Sequence, residues 1–322
     1  MINNQALFTG VLAGVAAGLM IFGALNAGLL AIFLLFAAPA AIYIATMGWG
    51  SAAGIVAALV GIVIAGVFGG YPLAGISGAL LFAPAAYVGL LVNLGTRSTN
   101  TAANDNEGGV VWFPLSIILF RLMMVLAAGF ILIGLFAGLT NEFLTARFAE
   151  LLKAFYNTNP NLPALDDATY TAHAATYAKI FPIALPCLWL MMHVATAFIA
   201  ANITRRSGLL ARDPEDVAAT VRLPVEAAGI LAAGLLGELI LPGTLQLAAA
   251  VLLGIGIGGF GLIGLAHLHF TSRGNPIRPF LLWASYASIV LFSVPLLIFT
   301  AIGLFRSFNV SNRNASGPTS NT

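Results

Sequence analysis

Charge is scarce in this chain. Only 7% of its 322 residues are Asp, Glu, Lys or Arg, against about a quarter in ordinary soluble domains. So little charge excludes a water-solvated globule. The 13 Lys/Arg and 11 Asp/Glu are scattered over loops, with no basic cluster of the kind that holds nucleic acid or anionic head groups, so nucleic acid is excluded as a partner. Cysteine is nearly absent. Cys187 has no partner for an intrachain disulfide and sits in an apolar run, where a thiol behaves as a small hydrophobe. Catalytic punctuation is missing as well: no HExxH, no GxSxG and no paired Asp inside an apolar run supplies a metal or an activated nucleophile. The two imidazoles of "HLH" at 267–269 would stand about 200° apart on a helix and cannot share a metal there. These absences predict no enzyme, no metal and no cofactor. The start, "MINNQALFTG", lacks the basic region of a secretory signal and reads as the first span.

What is present is apolar length. Sixty per cent of the residues are hydrophobic and the mean hydropathy is +0.99. Runs of 18 or more apolar residues recur, each long enough to cross a hydrocarbon layer of about 30 Å as a helix. Candidate spans fall at 5–24, 28–47, 51–70, 75–95, 111–138, 179–203, 224–241, 245–270 and 280–305. The fold class predicted is an all-α polytopic transmembrane bundle of eight to nine spans with short hairpin loops, forming one membrane domain over 1–305. A polar, disordered tail is expected over 306–322. The loop 204–223, with Arg205, Arg206, Arg212 and Arg222, marks the cytoplasmic side. It places the N-terminus inside and 139–178 outside. Arg306 and Arg313 run against that pattern, because the count puts the end of the chain outside.

The external segment has structure of its own. In "NEFLTARFAELLKAFY", Phe143, Leu144, Phe148, Leu151, Leu152 and Phe155 share one helical face, and Glu142, Thr145, Glu150 and Lys153 lie largely on the other. That pattern predicts an interfacial helix. After "NTNPNLP", Asp166 or Asp167 caps a second helix in which Tyr170, Ala174 and Tyr177 share a face. The pair reads either as an amphipathic anchor or as a lid.

Ionisable groups inside hydrocarbon cost several kcal/mol unless paired or wet, so the few present are the candidate ligand-binding residues: Glu238, His193, Arg121 and Glu226. Glu238, just before Pro242-Gly243, lies about 18 Å along the same helix from Glu226. It either reaches outer head groups or lines an outward cavity. Arg121 either snorkels or pairs with Glu226. His193, one turn from Trp189, is either a hydrogen-bonded core histidine or a proton relay. Two glycine stripes, Gly10, Gly14 and Gly18 in one span and Gly254, Gly258 and Gly261 in another, are close-approach faces, for packing within the chain or for a partner.

The last third, "GLIGLAHLHFTSRGNPIRPFLLWASYASIVLFSVPLLIFTAIGLFRSF", resembles the end of the YybS-like family of bacterial polytopic membrane proteins. The matching positions are Gly261, Gly264, His267, Arg273, Gly274, Tyr286, Pro295, Gly303, Leu304 and Phe308. The tail "NVSNRNASGPTSNT" departs from the acidic and basic ending of that family. The resemblance implies a bacterial inner membrane and, through a distant similarity to the substrate-capture subunits of energy-coupling-factor transporters, small-solute binding or a part in transport. The partners expected are the lipid bilayer and either another membrane subunit or a second copy. The rival expectation is a non-transporting scaffold acting through its small-residue faces.

Overall fold

The computed structural model describes residues 4–97, 110–159, 161–162 and 165–315. Twelve helices follow one another among them: α1 (Asn4–Ala24), α2 (Leu30–Trp49), α3 (Ser51–Ser77), α4 (Ala83–Val92), α5 (Leu115–Phe136), α6 (Asn141–Thr158), α7 (Asp167–Arg206), α8 (Val217–Thr220), α9 (Val225–Ile240), α10 (Gly243–Thr271), α11 (Arg278–Phe292) and α12 (Pro295–Ala315). A π-helical turn, Gly78–Phe82, joins α3 to α4. One antiparallel hairpin, β1 (Gly95–Arg97) with β2 (Val110–Trp112), was not foreseen in an all-α reading. The chain divides into two compact units. The first holds 1–126, 191–224 and 266–278, the second 127–190, 225–265 and 279–322.

Among the described residues, six helical stretches are long and apolar enough to cross a membrane: Asn4–Ala24, Leu30–Trp49, Ser51–Val92, Leu115–Phe136, Asp167–Arg206 and Gly243–Thr271. A bent pair in the last third makes seven if it counts as one span. The difference from eight to nine has three local causes. The expected runs 51–70 and 75–95 follow one another across the kink at Gly70 with no loop between them, and so count as one stretch by length and composition. The expected span 224–241 is the 16-residue α9, whose length of roughly 24 Å falls short of the hydrocarbon layer. The expected straight span 280–305 is α11 and the start of α12, bent by 119°. Ser293 adopts a positive φ of 58° at that bend, and Pro295 has no N–H with which to continue the helix.

In the first unit the 42-residue stretch is folded, not straight. Gly70 takes φ 79° and ψ 174°, in the left-handed half of conformational space that glycine enters without a side-chain clash. Around it Gly66 faces Ala74, Gly78 faces Ile62 and Gly61 faces Phe82. A straight helix would hold residues 61 and 82 roughly 30 Å apart, so 51–69 and 71–92 are antiparallel arms. The stripe on α1 lies against the first arm: a Cβ on Gly10 would stand 2.6 Å from the Ala53 carbonyl oxygen, and one on Gly14 2.5 Å from that of Ala57. Gly18 meets Ile64 in the same way. Buried Thr46 of α2 donates to the Ile42 carbonyl at 2.7 Å and fills the space left by Gly54 and Gly89.

In the second unit the other stripe serves two neighbours. Gly254 and Gly258 of α10 take the backbone of Ile183 and Cys187, and Gly261 takes Leu296 of α12. Gly264 and Gly303 complete the α10–α12 crossing reciprocally, each lying against a carbonyl of the other helix, at Phe299 and Phe260. Both stripes are therefore packing faces within the chain. The amphipathic segment is α6, capped by the Thr140 hydroxyl accepting from the Phe143 N–H at 3.1 Å. Asp166, not Asp167, caps α7 by accepting from the Thr169 N–H at 2.8 Å. Phe148 of α6 packs its ring on Tyr177 and Phe181 of α7. Helix α12 continues through Ala315 into the residues expected as a disordered tail; 316–322 lie outside the described residues.

Candidate functional site

The first unit holds a cavity of about 380 Å³, within the range of small-ligand sites. Helical periodicity builds its walls. On α7, Val194, Ala197, Phe198, Ala201, Asn202 and Arg205 line it at intervals of three and four, which is one face of a helix. Leu115, Ile118, Leu119 and Leu122 of α5 repeat that spacing opposite, and Val88 and Val92 of α4 complete the wall. Along α7 the lining changes over eleven residues, about 16 Å, from aliphatic at Val194 to an amide at Asn202 and a guanidinium at Arg205. The cavity is apolar at one end and polar at the other.

The polar end is closed by the segment 210–221. Arg212 is 4% exposed and pairs with Glu215, its Nη2 at 2.5 Å and its Nε at 2.8 Å from Oε1. Its Nη1 also reaches the Val92 carbonyl, at the C-terminal end of α4, at 3.5 Å, where a cation meets the negative end of the helix. Two anchors hold the segment in place. Ser116 on α5 accepts from the Arg222 N–H at 3.0 Å. Asp216 takes both Nη atoms of Arg273, at 2.5 and 2.6 Å. The Arg273 guanidinium holds the Asp216 carboxyl down at about 2, since an adjacent cation favours the charged form. Arg205 differs from Arg212: Nη1 donates to the Asn202 side-chain oxygen at 3.2 Å, while its buried Nε has no hydrogen-bond acceptor among the described residues.

The expected ligand residues fall elsewhere. His193, adjacent to Val194, is fully buried outside the lining. Its Nε2 lies 2.7 Å from the Leu80 carbonyl and its Nδ1 3.0 Å from the Tyr43 hydroxyl. Position 84, whose N–H would serve Leu80 in an unbroken α-helix, is proline and has none to give. Both ring nitrogens are engaged within the chain. Arg121 is exposed, donates to the Tyr87 hydroxyl at 3.1 Å and stacks on Phe113 at 5.4 Å. Exposed Glu226 lies in the first turn of α9. Arg121 falls in the first unit and Glu226 in the second.

Glu238, in the second unit, closes a polar chain: Asn141 of α6 donates to Gln246 at 2.9 Å, and Gln246 donates to the Glu238 carbonyl and carboxylate at 3.1 and 3.3 Å. That unit's cavity, about 80 Å³, is lined by Leu144 of α6 with Phe130, Phe181 and Val251. Glu238 lines neither cavity; it ties α6 to the α9–α10 corner.

Sequence reasoning does not single out Arg205, Arg212, Asn202 and Glu215, because arginines beside a loop read first as markers of sidedness and their polar neighbours as solvated. The usable signal was the spacing 194, 197, 198, 201, 202, 205, an apolar stripe that turns polar at its end. In comparisons with known proteins, no family model, no curated protein and no solved structure matches the chain.

Proposed function

We propose that this chain is a multi-pass membrane protein that binds a small solute in the cavity of its first unit. Its basic segment 204–223 would face the cytoplasm of a bacterial cell. The observation that carries the reading is the 380 Å³ cavity, whose walls are regular faces of α5 and α7 and whose polar end is held by two anchors. Fixed walls and a fixed floor favour binding, since little ordering is left for the ligand to drive. We further propose that the last third is related to the YybS-like family, which would set the chain in a bacterial membrane. If the two arms about Gly70 each cross the bilayer, the count rises by one, to seven, or to eight with the bent pair.

The rival scaffold reading has less support, because the small-residue stripes lie against neighbours within the chain. The solute site also moves from the outward position expected of Glu238 to the side of the arginine-bearing segment. Filling the cavity tests the proposal. Ala201→Trp in purified full-length protein, with folding checked by thermal unfolding, should abolish a co-purifying small molecule seen by native mass spectrometry. A molecule retained at wild-type occupancy in that variant refutes it.

A further inference from the structure

Resting on that cavity, we infer that its ligand is an amphiphile: an acyl chain lying along α5 and α7, with an anionic head, carboxylate or phosphate, at Arg205. Three observations converge. The apolar end offers only hydrocarbon, from Val88, Ile118, Leu122, Val194 and Ala197. A compact polar solute would lose its hydration there without compensation, whereas an acyl chain keeps the apolar environment that it has in a bilayer.

Second, the charges at the other end, Arg205 and Arg212 with Asp213 and Glu215, are unequally paired. Glu215 neutralises Arg212, and no ion pair among the described residues joins Asp213 to Arg205. Arg205 has the neutral amide of Asn202 as its hydrogen-bond acceptor, and its buried Nε has none. A guanidinium lining an apolar cavity with an unused, desolvated N–H favours an anion, because a hydrogen bond between ions is about twice as strong as a neutral one and relieves the buried donor. The planar fork of arginine suits the two or three oxygens of a carboxylate or phosphate.

Third, the long axis fits. The lining passes from aliphatic to cationic along one helix face over about 16 Å, and the cation lies at the end of α7 that carries Arg205 and Arg206. Phe198 lines the cavity and is 62% exposed, so the wall that it forms borders the outside of the unit, where a chain would enter sideways from an adjoining leaflet.

Full-length protein in lipid nanodiscs is titrated with four probes: palmitate, palmitoyl lysophosphatidate, neutral monopalmitoylglycerol, and inorganic phosphate alone. Saturable binding of palmitate or lysophosphatidate at least roughly tenfold tighter than monopalmitoylglycerol is expected, the scale of one hydrogen bond to a charged group. Whichever of the two binds tighter identifies the head as carboxylate or phosphate, and phosphate alone should not bind measurably. Arg205→Gln should erase the preference over the neutral probe, and Arg205→Lys should keep most of it. Equal affinity for charged and neutral probes in the wild type overturns the anionic head while leaving the cavity reading standing. Tight binding of phosphate alone overturns the acyl chain. Binding of every probe unchanged by Ala201→Trp overturns both readings together.

Discussion

The hydrogen bond between Tyr43 and His193 gives a quantitative test of the first unit's core. Both side chains are fully buried, 3.0 Å apart from hydroxyl to Nδ1. The Leu80 carbonyl at Nε2 can only accept, so in the neutral ring Nε2 carries the hydrogen and Nδ1 must accept from the tyrosine hydroxyl. Tyr43→Phe strands a buried acceptor and His193→Leu strands a buried hydroxyl, each costing about 1–3 kcal/mol. Removing both partners strands neither. Membrane-protein hydrogen bonds measured by double-mutant cycles average about 0.6 kcal/mol and reach about 1.7. With no water to replace either partner, the coupling here should lie in the upper half of that range, about 1 kcal/mol. The bond from Nε2 to Leu80 is lost in both arms of the cycle and cancels. Unfolding of the four proteins in mixed micelles, followed by tryptophan fluorescence, measures it. The double variant should be more stable than the sum of the single losses predicts. Additivity within about 0.3 kcal/mol would refute the assigned donor direction and the dry environment together.

Close approach at the glycine stripes predicts that Gly14→Ala destabilises by about 1–3 kcal/mol through overpacking against the Ala57 carbonyl, whereas Gly229→Ala, with open space around its Cβ, should cost nothing; equal losses in thermal unfolding would show that the stripe is not a packing face. Gly70 supports a hairpin tip, so in a Cys187→Ser background Tyr71→Cys, at a position 90% exposed, should react with a membrane-impermeant maleimide, and protection from reagent on both sides would place residue 71 inside the bilayer. Asp216 gives a pH dependence: its carboxyl is lowered to about 2 from an ordinary value near 3.8, so its ion pair with Arg273 contributes fully above about pH 4 and is lost as pH falls towards 2. The gap in thermal stability between wild type and Asp216→Asn should stay constant from pH 5 to 8 and close in acid; a gap that instead changes between pH 6 and 8 would assign the effect to another group.

Composition and periodicity determined the class of molecule. So few charges and so many long apolar runs require helices that satisfy their own backbone in lipid, and four-residue glycine spacing requires close helix neighbours. The face of α6 and a cap at Asp166 or Asp167 were likewise readable, because each depends on residues within one or two turns; the structure chose Asp166. Tertiary structure decided which neighbour each stripe met, Ala53 and Ala57 for one, Ile183, Cys187 and Leu296 for the other. It also decided that His193 is consumed by Tyr43 and Leu80, and that Arg205 rather than Glu238 lines a cavity. These outcomes join positions 43 and 193, or 122 and 205, that lie far apart along the chain. A helix pattern specifies which side of a cylinder is apolar or narrow; it carries no information about the cylinder that will lie against it.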